Sequence, residues 1–130
     1  MNTLPTAHPR QLPIKTDYDV VIMRQHVRHL ARDLGLALSK QAKISTAIST
    51  VARALIVLNC STTVQLWVDD AAPHPALAVT CRFRPSRHLE DLAHLEQVLR
   101  FGEARKLVDE AALSSDAHGV LLSLRMWLNR

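Results

Sequence analysis

The apolar residues of this chain change their spacing near residue 60, and that change dictates a protein of mixed helix and sheet. Upstream, Ile44, Ile48, Val51, Leu55 and Leu58 recur at intervals of three and four, the mark of one buried helix face. Downstream, Val64, Leu66 and Val68 alternate with Thr63, Gln65 and Trp67, the mark of a strand with one face buried. One segment cannot keep both periods, so helix and strand must be separate elements packed in layers.

The same test orders the rest of the chain. Pro5 and Pro9 make residues 1–10 a flexible lead-in. Gln11 to Lys15 reads as a short edge strand, because Pro13 suits an edge and not a central strand. Asp17 is the expected N-cap of a first helix carrying Val20, Met23, Val27, Leu30, Ala31 and Leu34, with Gly35 as its stop. A second helix starts near Ser39 and ends near Asn59. Leu77, Val79, Cys81 and Phe83 form a second alternating strand, closed by Pro85 and Ser86. His88 to Ala112 is expected to be helical, with Leu92, Leu95, Leu99, Leu107, Val108 and Ala111 on one face and a break at Gly102. A short strand near Leu113 to Ser115 and a long one from Gly119, bearing Val120, Leu122, Leu124, Met126 and Leu128, complete the order β-α-α-β-β-α-α-β-β.

With 130 residues, 48% hydrophobic and 22% charged, residues 11–130 form one domain with a core of its own. Cys60 and Cys81 match no metal or redox spacing and read as two buried thiols. No apolar run reaches the ~20 residues of a membrane span, and the first residues lack an apolar leader. The expectation is therefore no membrane and a cytoplasmic location. The net charge is +4, and Arg24, Arg28 and Arg32 recur every four residues as a stripe along the first helix. Such a stripe is either a solvated helix face or a docking surface. Aromatics are only 4%, which argues against a platform for stacking nucleic-acid bases.

Several strings together resemble the anti-sigma-factor and stressosome switch-kinase branch of the GHKL, or histidine-kinase-like, ATPase superfamily. They are Met23-Arg24-Gln25, Leu34-Gly35-Leu36, Gln41-Ala42-Lys43-Ile44, and a second-helix motif kept at Ile44, Thr46, Ala47, Ile48, Ser49, Ala52 and Arg53. Ala104 to Glu110 resembles the helix after the family's nucleotide lid, and Gly119 to Leu128 its last strand. The resemblance implies an α+β fold of the Bergerat type: a two-layer α/β sandwich with a mixed, mostly antiparallel sheet covered on one face by helices.

The departures fall where the family's chemistry lies. Its general-base Glu and magnesium-binding Asn, four residues apart on the second helix, correspond to Thr50 and Ala54. A threonine hydroxyl is no base at neutral pH, and a methyl group cannot ligate a hard cation. The family's adenine-binding Asp-x-Gly-x-Gly box corresponds to Thr80-Cys81-Arg82-Phe83-Arg84-Pro85, and its glycine-rich lid to Arg100-Phe101-Gly102-Glu103. Gly35, Gly102 and Gly119 are the only glycines, too few to cradle phosphates with backbone N–H groups. No cofactor, no metal and no catalytic residue is expected. The remnant of the cleft would be Thr50, Arg53, Arg82 and Arg84.

Other clusters carry less. His26 and His29 on the first helix, with His88 and His94 in the third helical region, follow no recurring ligand pattern. Asp69-Asp70 reads as a solvated turn, and Asp109-Glu110 as partners of Arg105 and Lys106 at helical spacing. Ser114-Ser115 carries no specific signal, while Trp67 and Trp127 sit on the outward parity of their strands.

The leading expectation is a catalytically inert switch-kinase-like module for protein–protein interaction in bacterial partner switching. Its partner, as the resemblance implies, is a STAS-type antagonist, a sigma factor or a phosphatase regulator. Arg24, Arg28, Arg32, Thr50 and Arg53 would form the docking face. The alternative is an ATP- and magnesium-dependent serine/threonine kinase acting on such an antagonist. A third reading is a nucleic-acid-binding regulator, which predicts affinity falling steeply with salt. A homodimer through the sheet edge or the first helix is compatible with each.

Overall fold

The computed structural model describes residues 9–71, 73–85 and 91–128. Its first strand, β1 (Arg10–Ile14), turns directly into helix α1 (Asp17–Asp33). The cap is Thr16 and not Asp17: the Thr16 hydroxyl accepts the Asp19 N–H at 3.3 Å, and the Asp19 carboxylate accepts the Thr16 N–H at 3.0 Å. This reciprocal pair needs an acid three residues after the cap, which Thr16 has and Asp17 lacks. Asp17 instead occupies the first turn, where a negative charge suits the helix dipole.

Helix α1 and helix α2 (Leu38–Val57) stop in the same way. At the end of α1, Gly35 takes φ +80, and the N–H groups of Gly35 and Leu36 return to the carbonyls of Arg32 and Ala31. At the end of α2, Asn59 takes φ 57, and the N–H groups of Asn59 and Cys60 return to Ile56 and Leu55. A left-handed residue with two backward bonds is a Schellman ending. It tucks the following apolar side chain, Leu36 or Cys60, into the core.

Strands β2 (Thr62–Asp69) and β3 (Ala76–Phe83) follow, then helices α3 (Leu92–Val98) and α4 (Phe101–Arg105), then strands β4 (Glu110–Asp116) and β5 (Gly119–Trp127). The element order matches the sequence expectation. The fold is α+β, with a five-stranded sheet in the order β1-β2-β3-β5-β4. Every neighbouring pair is antiparallel, so the sheet is not mixed as expected. An even number of helices between β1 and β2 returns the chain to the end from which it left, which makes the neighbours antiparallel; a parallel pair needs a single crossover. Pro13 does lie in an edge strand.

The third helical region is shorter than its periodicity suggests. Helix ends at Arg105, and Ala111 and Leu113 belong to β4, paired with Leu124 and Leu122 of β5. The helical spacing of Leu107, Val108 and Ala111 was coincident with strand alternation from residue 111 onward. The break lies at Arg100, which takes φ 56, and not at Gly102, which sits inside α4. Leu99 and Phe101 are both fully buried on either side of Arg100. The chain must reverse between them to insert both, and that requirement outweighs glycine's intrinsic preference for turns.

One core joins the layers. Met23 and Val27 of α1, Ile44, Ile48, Val51 and Leu55 of α2, and alternate residues of the strands (Val64, Leu66, Leu77, Val79, Leu122, Leu124) are all buried in it. Leu95, Leu99, Phe101 and Ala104 add the α3–α4 corner. The opposite parity of the strands, including Gln65, Thr80, Arg82 and Ser123, faces away from this core. No helix among the described residues is long and apolar enough to cross a membrane.

Candidate functional site

Thr50 and Ala54 lie one helical turn apart on α2 and are both half-buried. With Arg53, Val57, Leu58, Val98 and Arg100 they line a groove of about 460 Å³ between α2 and the α3–α4 corner. Arg100 is drawn out of play by its own helix: its guanidinium donates to the Glu103 carboxylate at 2.5 and 2.8 Å. Among the described residues, Arg53 has no ion-pair partner and is exposed. The lining therefore offers one hydroxyl, one available guanidinium and an apolar wall on which Val57 is 82% exposed. It holds no carboxylate, carboxamide or imidazole.

The structure does not assemble the four-residue cleft expected from sequence. Thr50 and Arg53 share the groove, but Arg82 and Arg84 lie elsewhere. Arg82 stands on the outward parity of β3, between inward Cys81 and Phe83, and donates to both carboxylate oxygens of Asp116 at 2.8 and 3.0 Å. Arg84 donates to the Ala117 carbonyl at 3.4 Å, in the turn between β4 and β5. Both arginines hold that hairpin against β3. Parity along one strand, which sequence alternation already displayed, separates them from α2.

On α1, Arg28 and Arg32 are exposed and Arg24 is half-buried. Four residues turn a helix by 400°, so the stripe drifts by about 40° per step and Arg24 rolls toward the core. None of the three lines the α2 groove. The expected docking face is therefore two patches, one on α1 and one on α2. Sequence reasoning passed over Tyr18 and Val21, which are 70% and 45% exposed on α1. Their signal was present: both fall off the Val20–Met23–Val27 stripe.

The acidic pairs take part in tertiary contacts that their spacing did not announce. Asp69 is not a free turn residue. It is paired with Arg125 of β5 and accepts the Ala71 N–H at 3.0 Å. The Arg125 guanidinium holds the Asp69 carboxyl below its ordinary value, aided by the Ala71 N–H. Glu110 meets Arg125 at 3.2 Å from the other side, and Asp109 accepts the Trp127 N–H at 2.7 Å. The expected helical pairs with Arg105 and Lys106 do not form, because Glu110 already belongs to β4; Arg105 instead approaches Glu96 at 3.7 Å. Trp127 stacks on His74 with centroids 4.3 Å apart and planes at 24°.

Cys60 and Cys81 are both buried and free. Burial pushes the Cys81 thiol up to about 12, and the Cys60 thiol is raised for the same reason. Burial thus disfavours the thiolate at both positions. His26 and His29 lie about one turn apart on α1 and His94 lies on α3, while His88 lies outside the described residues. Among the described residues no three of His, Cys, Asp and Glu gather as a metal site would require. Ser114 and Ser115 are exposed on β4. Compared with known proteins, the chain matches no family model and no characterised relative.

Proposed function

We propose that this chain is a non-catalytic protein-interaction module of the switch-kinase type, built on a GHKL-like scaffold and acting in bacterial partner switching without ATP. One observation carries the reading: Thr50 and Ala54 line the same groove one turn apart, where the resembled family holds its base and its magnesium ligand. Magnesium demands oxygen ligands in near-octahedral array, and this groove supplies a single hydroxyl. The glycines support the same conclusion. Gly35 ends α1, Gly102 lies within α4, and Gly119 abuts the Phe83 carbonyl. None forms a loop that could wrap a triphosphate.

A protein partner then becomes the natural ligand, of the STAS, sigma-factor or phosphatase-regulator kind that the resemblance implies. The exposed Arg28 and Arg32 would steer an acidic partner toward α1. Calorimetry with magnesium and ATP tests the first half of the reading, and the expected result is no heat of binding. Saturable heat that disappears in Arg53→Ala would overturn it in favour of an ATP-dependent serine kinase. The second half is tested by titrating a candidate partner against Arg28→Glu/Arg32→Glu, which should weaken binding while the melting curve stays unchanged.

A further inference from the structure

At the groove beside Thr50 the main core opens to the surface. Ala54, Leu58 and Val98 pack against that core yet stay only half-buried, and Val57 projects beside them, 82% exposed. An apolar side chain seated among these four would continue the core outward and gain the usual benefit of leaving water. The rim carries charge of one sign. Arg53 lies four residues before Val57 on α2, so guanidinium and valine share one side of the helix, about 6 Å apart along its axis. Arg82, Arg100, Arg105 and Arg125 each have a carboxylate partner. Arg53 has none among the described residues, and Glu103 already balances Arg100 across the groove. The guanidinium of Arg53 is therefore the unbalanced charge of the lining.

We propose that this groove seats a short acidic segment of a protein partner, in which a carboxylate stands about 6 Å from an aliphatic side chain. Residues i and i+4 of a helix, or i and i+2 of an extended chain, meet that spacing. The carboxylate takes the Arg53 guanidinium, and the aliphatic group rests against Val57, Leu58 and Val98. An arginine beside an exposed apolar residue is the composition that protein interfaces favour. A nucleotide fits worse, because it brings several negative charges to one free guanidinium and no aliphatic group to the apolar wall. A free small ligand also fits worse: Val57 stands out from the surface, whereas small-molecule sites enclose most of what they bind. The proposal deepens the protein-interaction reading given above and rests on it. The arginines of α1 take no part in this contact.

The test pans a phage-displayed library of random dodecapeptides on the full chain. Enrichment of sequences that pair Asp or Glu with Leu, Ile or Met is the expected result. The dominant peptide, made synthetically, should bind at least ~tenfold more weakly to Arg53→Glu and to Val57→Gln. Changing its acidic residue to Lys should restore binding to Arg53→Glu, which a merely misfolded variant would not allow. Both substituted positions are exposed, so the melting curves should match the wild type. Arg28→Glu/Arg32→Glu, on the other helix, should bind the peptide as the wild type does. No enrichment, enrichment of basic sequences, or binding indifferent to Arg53 and Val57 would each overturn the proposal. Self-association of the chain that Arg53→Glu abolishes would do the same, by assigning the groove to a second copy. Heat from magnesium and ATP alongside an Arg53-dependent peptide would sink the nucleotide-free reading and leave the peptide contact standing. Absence of both would sink the peptide contact alone.

Discussion

On the side of the sheet that carries α1 and α2, every strand contributes aliphatic side chains to one continuous core. On the other side the same sheet carries Gln65, Thr80, Arg82, Ser123 and Arg125, the two arginines tied by ion pairs to Asp116, Asp69 and Glu110. Ala76 and Ala78 are fully buried on that outer side, yet they stand apart from the main core. Their cover comes from neighbours in register: Trp67 and Arg125 flank Ala78, while Asp69 and Trp127 flank Ala76. The inner face is held by non-directional burial, which tolerates no lost volume. The outer face is held by a few directional contacts, each replaceable by water where the groups are exposed. Damage should therefore be graded by face, and within the outer face by exposure.

Leu124→Ala, at the centre of β5, should cost about 2–5 kcal/mol in urea unfolding, because it leaves a cavity where Leu124 is fully buried. Ser123→Ala, one residue away on the outer parity, should change stability by less than about 0.5 kcal/mol. Equal losses at the two sites would erase the distinction between the faces.

Gly119→Ala should cost about 1–3 kcal/mol. The position takes φ +116, and an added Cβ would lie 2.6 Å from the Phe83 carbonyl oxygen. The same change at Gly102, where nothing lies within 4 Å and the backbone is helical, should be neutral or slightly stabilising.

Arg125→Met should cost about 1–3 kcal/mol by leaving Asp69, whose side chain is 19% exposed, without its partner. The pH dependence gives a second reading of the same contact. Asp69 has its carboxyl lowered from 3.8 by Arg125 first and the Ala71 N–H second. Its contribution is therefore present above the unfolded value and lost as pH falls through the folded one. Melting temperatures should drop less steeply on acidification in Arg125→Met than in the wild type. Identical acid limbs would show that the pair adds nothing.

Arg82→Ala should have the smallest effect. Its pair with Asp116 is well aligned at 2.8 Å, but both side chains are exposed, at 39% and 49%. Solvent screens such contacts, so the unfolding midpoint should scarcely move. Faster amide exchange confined to the β4–β5 turn is the expected trace.

Much of the candidate site was legible before the fold was known. The four-residue interval between Thr50 and Ala54 put them on one helix side by arithmetic alone, and they do line one groove. What lines the opposite wall was not legible. Val98 and Arg100 reach it because Arg100 adopts a left-handed backbone, a choice made by the burial of Leu99 and Phe101 on either side. Arg82 and Arg84 were assigned to the cleft because the resemblance set residues 80–85 against an adenine-binding box, whereas strand parity turned Arg82 outward.

By itself, then, the sequence determined the order of elements and most of the side chains that line the core under α1 and α2, since periods of 3.6 and 2 are local geometry. Tertiary structure decided the rest: the all-antiparallel pairing, the early end of the third helical region, and the meeting of Asp69, Glu110 and Arg125 from three strands. Those outcomes depend on which strands become neighbours and in what register. No local periodicity encodes that, because the contacts join residues as far as 56 positions apart.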